Sequence, residues 1–190
     1  MTVWFTSDHH FNHANIIAYC SRPFASPSEM NERMIEEWNS RVEPSDTVYV
    51  VGDFFLGPTD DGLRIGQSLR GNRVLVKGNH DRSTATYFRA GFSQVVGRLS
   101  LRLSDGSLAL LRHIPLEASA LGGHDLQIHG HRHEGPRLVG PHLNVCVDLW
   151  NFRPIAEDEI VELWQSRHSS NNHPESSPGT PGEKKRSSVR

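Results

Sequence analysis

The chain of 190 residues predicts an α/β fold with two sheets packed face to face and helices on the outside. Three observations lead there. Short apolar strands alternate with helical patterns through the first half. The second half carries strand patterns until one closing helix. The length suits one substantial core, and the Ser-, Pro- and Gly-rich end has no apolar pattern to add to it.

The first strand is TVWFT, residues 2–6. Ser26, Pro27 and Glu29 then form a helix start: a capping residue, a proline at the first helical position and the acid of a capping box. Met30, Met34, Ile35, Trp38 and Val42 mark one face of that helix at helical spacing, so they belong to the core and not to a cofactor box. TVYVV (47–51) is a buried strand. A helix through about 60–69 stops before Gly71, RVLV (73–76) is the next strand, and a helix over 83–90 closes at Gly91. Strands near 93–103 and 107–112 are joined at Asp105-Gly106, and further strands cover 125–129 and 142–147, an antiparallel-looking set. The last helix places Glu157, Asp158 and Glu159 in its first turn, where negative charge complements the backbone dipole, and turns Ile160, Leu163 and Trp164 inward. One domain is expected over residues 1–167, with a disordered tail over 168–190.

Composition excludes several classes. No apolar run is long enough to span a membrane, and no basic stretch leads into an apolar one at the start, so a cytoplasmic location is expected. Cys20 and Cys146 form no C-x-x-C pattern and are expected to be reduced thiols. From Arg167 onward five Lys/Arg against two Glu give +3, which leaves −5 on the rest of a chain whose net charge is −2. A body of that sign argues against stable binding to duplex nucleic acid, which needs a basic face. Twelve histidines are the anomaly, and ten of them lie between His9 and His142.

Those histidines cluster at strand ends. Asp8, His9 and His10 close the first strand, and Asp53 in GDFF follows the second. Asn79, His80 and Asp81 in KGNHD follow the third; His113 follows the strand at 107–112, and His131 and His133 in HGHRH follow the strand at 125–129. Carboxyl ends of strands are where open α/β sheets build their sites. Oxygen and imidazole donors without thiolate suit manganese, iron or zinc and not a cysteine zinc knot. There are more donors than one ion uses. A carboxylate such as Asp53 can bridge two cations about 3.5–4 Å apart, and such a pair lowers the pKa of a bound water to about 7.

The ordered blocks D-x-H (Asp8, His10), G-D (Asp53), G-N-H-D (Gly78 to Asp81), H (His113) and G-H-x-H (Gly130 to His133) resemble the calcineurin-like metallophosphoesterase superfamily. NVCVDLWNFRPI continues the look of its small bacterial and phage members. The resemblance implies a four-layer α/β/β/α sandwich of two mixed sheets flanked by helices. It implies two divalent metal ions, manganese first, with iron, zinc and nickel as the other candidates. Carried over residue by residue, Asp8, His10 and His133 hold one ion, Asn79, His113 and His131 the other, and Asp53 bridges. A bridging hydroxide is then the nucleophile, His80 protonates the leaving oxygen, and Asp81 orients His80. His13, in the loop past the first block, and Arg82, beside G-N-H-D, are candidate substrate contacts; for Arg82 a surface arginine at a helix start is the plain alternative. His9, His129, His124 and His142 are expected to be packed or at the surface. Asn12 stands where the family often has glycine.

GDFFLGP and GNHD depart from the protein serine/threonine phosphatase branch, lacking its arginine and its glutamate. With no long insertion to form a cap, the implied activity is a phosphodiesterase with an open site for small diesters such as 2′,3′-cyclic nucleotides. A phosphomonoesterase and a nuclease acting on DNA or RNA ends are the alternatives within the superfamily. A metal-bound binding module without catalysis is the alternative outside enzymes, and the intact His80 and Asp53 argue against it.

Overall fold

The computed structural model describes residues 1–169. Beyond its first two residues, the expected tail lies outside the described residues. In chain order the elements are β1 (Val3–Thr6), α1 (Ala14–Tyr19), α2 (Pro27–Asn39), β2 (Thr47–Val50), α3 (Thr59–Ser68), β3 (Asn72–Val76), α4 (Thr84–Arg89) and β4 (Phe92–Val96). They continue with β5 (Leu99–Arg102), β6 (Leu108–Leu111), β7 (Leu126–His129), β8 (Leu138–Val139), β9 (His142–Asn144), β10 (Ile155–Ala156) and α5 (Glu157–Ser169).

The strands form two five-stranded mixed sheets, ordered β10-β1-β2-β3-β4 and β5-β6-β7-β9-β8. In the first, β1 to β4 are parallel and β10 closes the edge antiparallel. In the second, β6, β7 and β9 are parallel and only the outer pairs are antiparallel. The second half is therefore not the antiparallel set that its strand spacing implies. Its parallel centre matters, because only parallel strands bring several carboxyl ends to one rim.

Strands buried on both faces explain the continuous apolar runs. Successive residues of β2 point to opposite sides. Val48 and Val50 join Met30, Met34 and Trp38 of α2, with Phe54 and Tyr87, under the helices. Val51 joins Phe5, Val76, Leu111, Leu126 and Ile128 between the sheets, and Ile160 and Trp164 of α5 close that second core. Each fully buried large apolar side chain contributes roughly 1.5–3 kcal/mol. α2 starts as its sequence predicts. The Ser26 hydroxyl accepts from the Glu29 amide at 3.2 Å, and the Glu29 carboxylate accepts from the Ala25 amide at 2.7 Å.

The strand expected over 93–103 is two strands in different sheets: β4 ends at Val96, the chain crosses at Gly97 and Arg98, and β5 begins the second sheet. An apolar alternation that runs through the crossing hides the change of sheet. Helix α1 has six residues and one buried side chain, Ile16, too little for a periodic signal.

Asp46, before β2, ties down the chain start. Its carboxylate accepts from the Thr2 amide at 2.7 Å, the Trp4 indole at 3.0 Å and the Glu43 amide at 3.0 Å. The Thr2 hydrogen bond, with help from Trp4 and Glu43, outweighs desolvation and holds this carboxyl below its ordinary value. A carboxyl depressed in the folded state adds stability above its unfolded pKa and loses it as pH falls through the folded one. Asp46→Asn should thus destabilise the protein by about 1–3 kcal/mol at neutral pH. In urea unfolding, the gap between variant and wild type should narrow below pH ~4.

Candidate metal centre

The parallel strands deliver Asp8, Asp53, Asn79, His113 and His131 just past their carboxyl ends. The backbone there is strained. Asp8, His10, Asp53 and His131 have φ of 59°, 50°, 55° and 69°. Left-handed backbone is uncommon outside glycine, tolerated best by Asp, Asn and His, and persists only where the surroundings over-determine it. Here the loops after β1 and β2 are zipped together: the amides of Asp8, His10 and Phe11 donate to the carbonyls of Gly52, Asp53 and Phe54, each at 3.0 Å. The His131 amide donates to the Asp8 carboxylate at 3.0–3.1 Å, joining the second sheet to the first. Two glycines make the approach possible. A Cβ on Gly78 would lie 2.2 Å from Asp53 Oδ1, and one on Gly130 2.3 Å from Asp8 Oδ2.

Two ligand groups result. Donor atoms of Asp8, His10 and His133 lie within 4.8 Å of one another, and so do those of Asp8, Asp53 and His113. Asp53 Oδ2 stands 3.6 Å from His10 Nε2 and 3.2 Å from His113 Nε2, between the two groups. Asn79 Oδ1 is 3.1 Å from His113 Nε2, and the His131 ring centre is 5.2 Å from that of His113. Asp8, His10, Asp53 and His113 are buried, whereas Asn79, His80 and His131 open to solvent. The Nδ1 of His113 meets the Val51 carbonyl at 2.8 Å and that of His133 meets Asp148 Oδ2 at 2.8 Å. A carbonyl and a carboxylate only accept, so both Nδ1 atoms carry protons and both Nε2 atoms face the centre.

The carboxylates have divergent environments. Burial pushes Asp8 above its ordinary range against the pull of His113 and His133. Burial also opposes charge on Asp53, yet the hydrogen bond from His113 and its charge outweigh it and hold Asp53 at about 2. Burial works against the His113 imidazolium too, but Asp53 and Asp8 raise it to about 9. Buried negative charge thus draws a cation into this spot. With imidazole and carboxylate donors converging, and the close packing that Gly78 and Gly130 allow against both carboxylates, the residues fit a pair of divalent ions.

Behind His133 lies a network that no motif revealed. Arg22 is buried and meets Asp148 with two nitrogens, Nε at 2.8 Å and Nη2 at 2.7 Å. The same guanidinium donates to the carbonyls of His9 at 2.8 Å and Asp8 at 2.7 Å. Arg22 therefore fixes the strained first loop and, through Asp148, the His133 ring. Burial opposes the Asp148 charge, but His133 and Arg22 hold its carboxyl at about 2. Asp148 sits in NVCVDLW, where its own role left no signal. Cys20 forms a third close group with His133 and Asp148, but the Arg22 charge already occupies that carboxylate.

Two residues with expected roles at the site have further partners. Asp81 is engaged with the Asp53 loop. Its carboxylate accepts from the amides of Asp53 (2.9 Å), Gly78 (2.7 Å) and Phe54 (3.0 Å) and from the Tyr87 hydroxyl (2.5 Å), which fills its lone pairs. The exposed Arg82 guanidinium donates to the Gly57 carbonyl through one nitrogen and lies over the Phe55 ring. His13 stands with its ring centre 5.5 Å from that of His10, and His80 5.6 Å from it on the open side. His9 stacks on Phe11 at 5.0 Å in the core, where burial takes it down to about 3. His129 is buried, with Nδ1 on the Gly130 carbonyl at 2.8 Å.

The family model described as calcineurin-like phosphoesterase matches residues 1–180. An uncharacterized protein of Methanocaldococcus jannaschii is 34% identical over 171 residues, covering 85% of this chain and 90% of that one. The gene 66 protein of Mycobacterium phage D29 is 28% identical over 196 residues, covering 85% and 94%. The crystal structure of a protein of unknown function from Aquifex aeolicus superposes with a TM-score of 0.71 at 27% identity, covering 85% and 98%.

The Asp148 link to His133 has a measurable consequence. Asp148→Asn should weaken Mn²⁺ binding about 10- to 100-fold in calorimetric titration. It should also destabilise the protein by roughly 3–5 kcal/mol, because Arg22 is left buried and unpaired. Unchanged Mn²⁺ affinity would mean that His133 is oriented by something else.

Proposed function

The chain belongs to the calcineurin-like phosphoesterase family, and we propose that it is a dinuclear-metal phosphodiesterase of small diesters, 2′,3′-cyclic nucleotides first among them. The observation that carries this reading is the pair of ligand groups meeting at Asp8, with Asp53 Oδ2 between them. In this reading Asp8, His10 and His133 hold one divalent ion, Asn79, His113 and His131 the other, and Asp53 bridges, with manganese preferred. Two such ions supply Lewis acidity to the phosphoryl oxygens and lower the pKa of water at the site.

The remaining work falls to the chain. His80 is exposed, and its amide is anchored on Asp53 Oδ1 at 3.0 Å, so its imidazole stands at the mouth of the centre. From there it holds a proton for the leaving oxygen. Asp81 positions the loop that carries Asn79 and His80 by gripping the amides of Gly78 and Asp53. His13, half-buried beside His10, meets the substrate from the other side. An open mouth suits a diester, whose second alcohol must be accommodated. Among the described residues no helix is long and apolar enough to cross a membrane.

Chelator-stripped protein should hydrolyse 2′,3′-cyclic AMP only after Mn²⁺ is added. Turnover confined to monoesters would move the reading to a phosphomonoesterase. His80→Ala should keep both metals but lose about 10²–10⁴-fold in turnover of diesters with poor leaving groups; unchanged turnover would remove His80 from the acid role. Asp53→Ala should abolish binding of the metal pair, read by metal analysis of the purified protein.

A further inference from the structure

A cleft of about 1250 Å³ opens beside the metal centre, lined by His131 and His133 at one end and by Tyr19, Ile114, Pro115 and Arg132 further out. A phosphoryl group needs far less room; pockets for whole organic ligands run about 300–1,000 Å³. Five large apolar side chains are exposed among the described residues, and two of them, Tyr19 (74%) and Ile114 (40%), line this one cleft. They reach the cleft from different parts of the chain. Ile114 follows His113, of the Asp53 group, while Tyr19 lies beyond His13, whose ring is 5.5 Å from that of His10 and 6.4 Å from that of Tyr19.

Tyr19 is also held in place. It ends α1, and the next turn is pinned by the Cys20 amide on the Ile16 carbonyl at 2.9 Å and the Arg22 amide on the Ile17 carbonyl at 2.9 Å. Ser21 there has φ of 50°, and Arg22 bonds to the carbonyls of Asp8 and His9. An exposed aromatic ring on an anchored backbone offers contact area at small entropic cost.

We infer that this cleft is a subsite for a planar heterocycle of the substrate, a nucleobase stacked on Tyr19. This rests on the phosphodiesterase reading of the adjoining centre. Stacking is tolerant of base identity because every base has a π-face. Arg132 and Glu134 give the lining one charge of each sign, so it lacks the basic track that a long polyanion needs. A single nucleotide is the occupant that fits.

The test compares two cyclic diesters with the same five-membered phosphate ring, 2′,3′-cyclic AMP and ethylene phosphate, the second without a base. Tyr19→Ala should raise the KM of cyclic AMP about 10-fold with kcat nearly unchanged, and leave ethylene phosphate kinetics as they were. Tyr19→Phe should restore wild-type values. Equal effects on both esters, or none on either, would overturn the subsite. Equilibrium dialysis of adenosine 5′-monophosphate with the Mn²⁺-loaded protein reads the subsite without turnover: about 10-fold weaker binding by Tyr19→Ala supports it, and equal binding overturns it. If the wild type hydrolyses neither ester, the diesterase reading fails, while the dialysis still decides the subsite.

Discussion

The geometry of the centre depends on four donors that converge on one carboxylate. Asp81 accepts from the amides of Asp53, Phe54 and Gly78 and from the hydroxyl of Tyr87. Two loops from neighbouring strands are thereby welded together, one carrying Asp53 and the other Asn79 and His80. Tyr87 is fully buried among Phe54, Phe55 and Phe92, so the weld is anchored in the core beneath the helices. Burial and the Asp81 charge push the Tyr87 hydroxyl well above its ordinary pKa, which keeps it a donor. Together with the zipped loops after β1 and β2, this anchor holds Asp53 at φ 55°, a conformation with little intrinsic stability.

Buried charge is managed by pairing throughout the site. Asp8, Asp53 and Asp148 are each met by imidazole or guanidinium groups, and the ion pair of Asp148 with Arg22 stands one residue behind the candidate ligand His133. Isolated charges in such surroundings are too costly to persist. Arg22 serves three groups at once, bonding to two carbonyls of the first loop and to the carboxylate that orients His133. Structure and site are here the same network.

Much of this was legible in the residues alone. The capping box of α2, the parallel strands β1 to β3 and the blocks of Asp, Asn and His at strand ends all rest on local chemistry, which a sequence displays. What escaped is non-local. The break between β4 and β5 lies inside an unbroken alternation, and only sheet packing decides that the chain crosses at Gly97. Arg22 and Asp148 are 126 positions apart, and nothing near either residue announces the pairing. Asp81 shows the reverse problem. Its place in G-N-H-D was plain, but the partner of its carboxylate depends on where the Asp53 loop comes to rest.

The centre draws Asp8, His10, Asp53 and Asn79 from the loops of one sheet and His113, His131 and His133 from those of the other. The loops of the two sheets meet over the layer between them, which is filled by side chains such as Val51, Val76, Leu111 and Ile128. A close-packed interior transmits a change of even one methylene. These valines and leucines, remote from any chemistry, act as shims: they set how the two sheets, and with them the two sets of loops, come to meet, and their volumes are part of the site's specification.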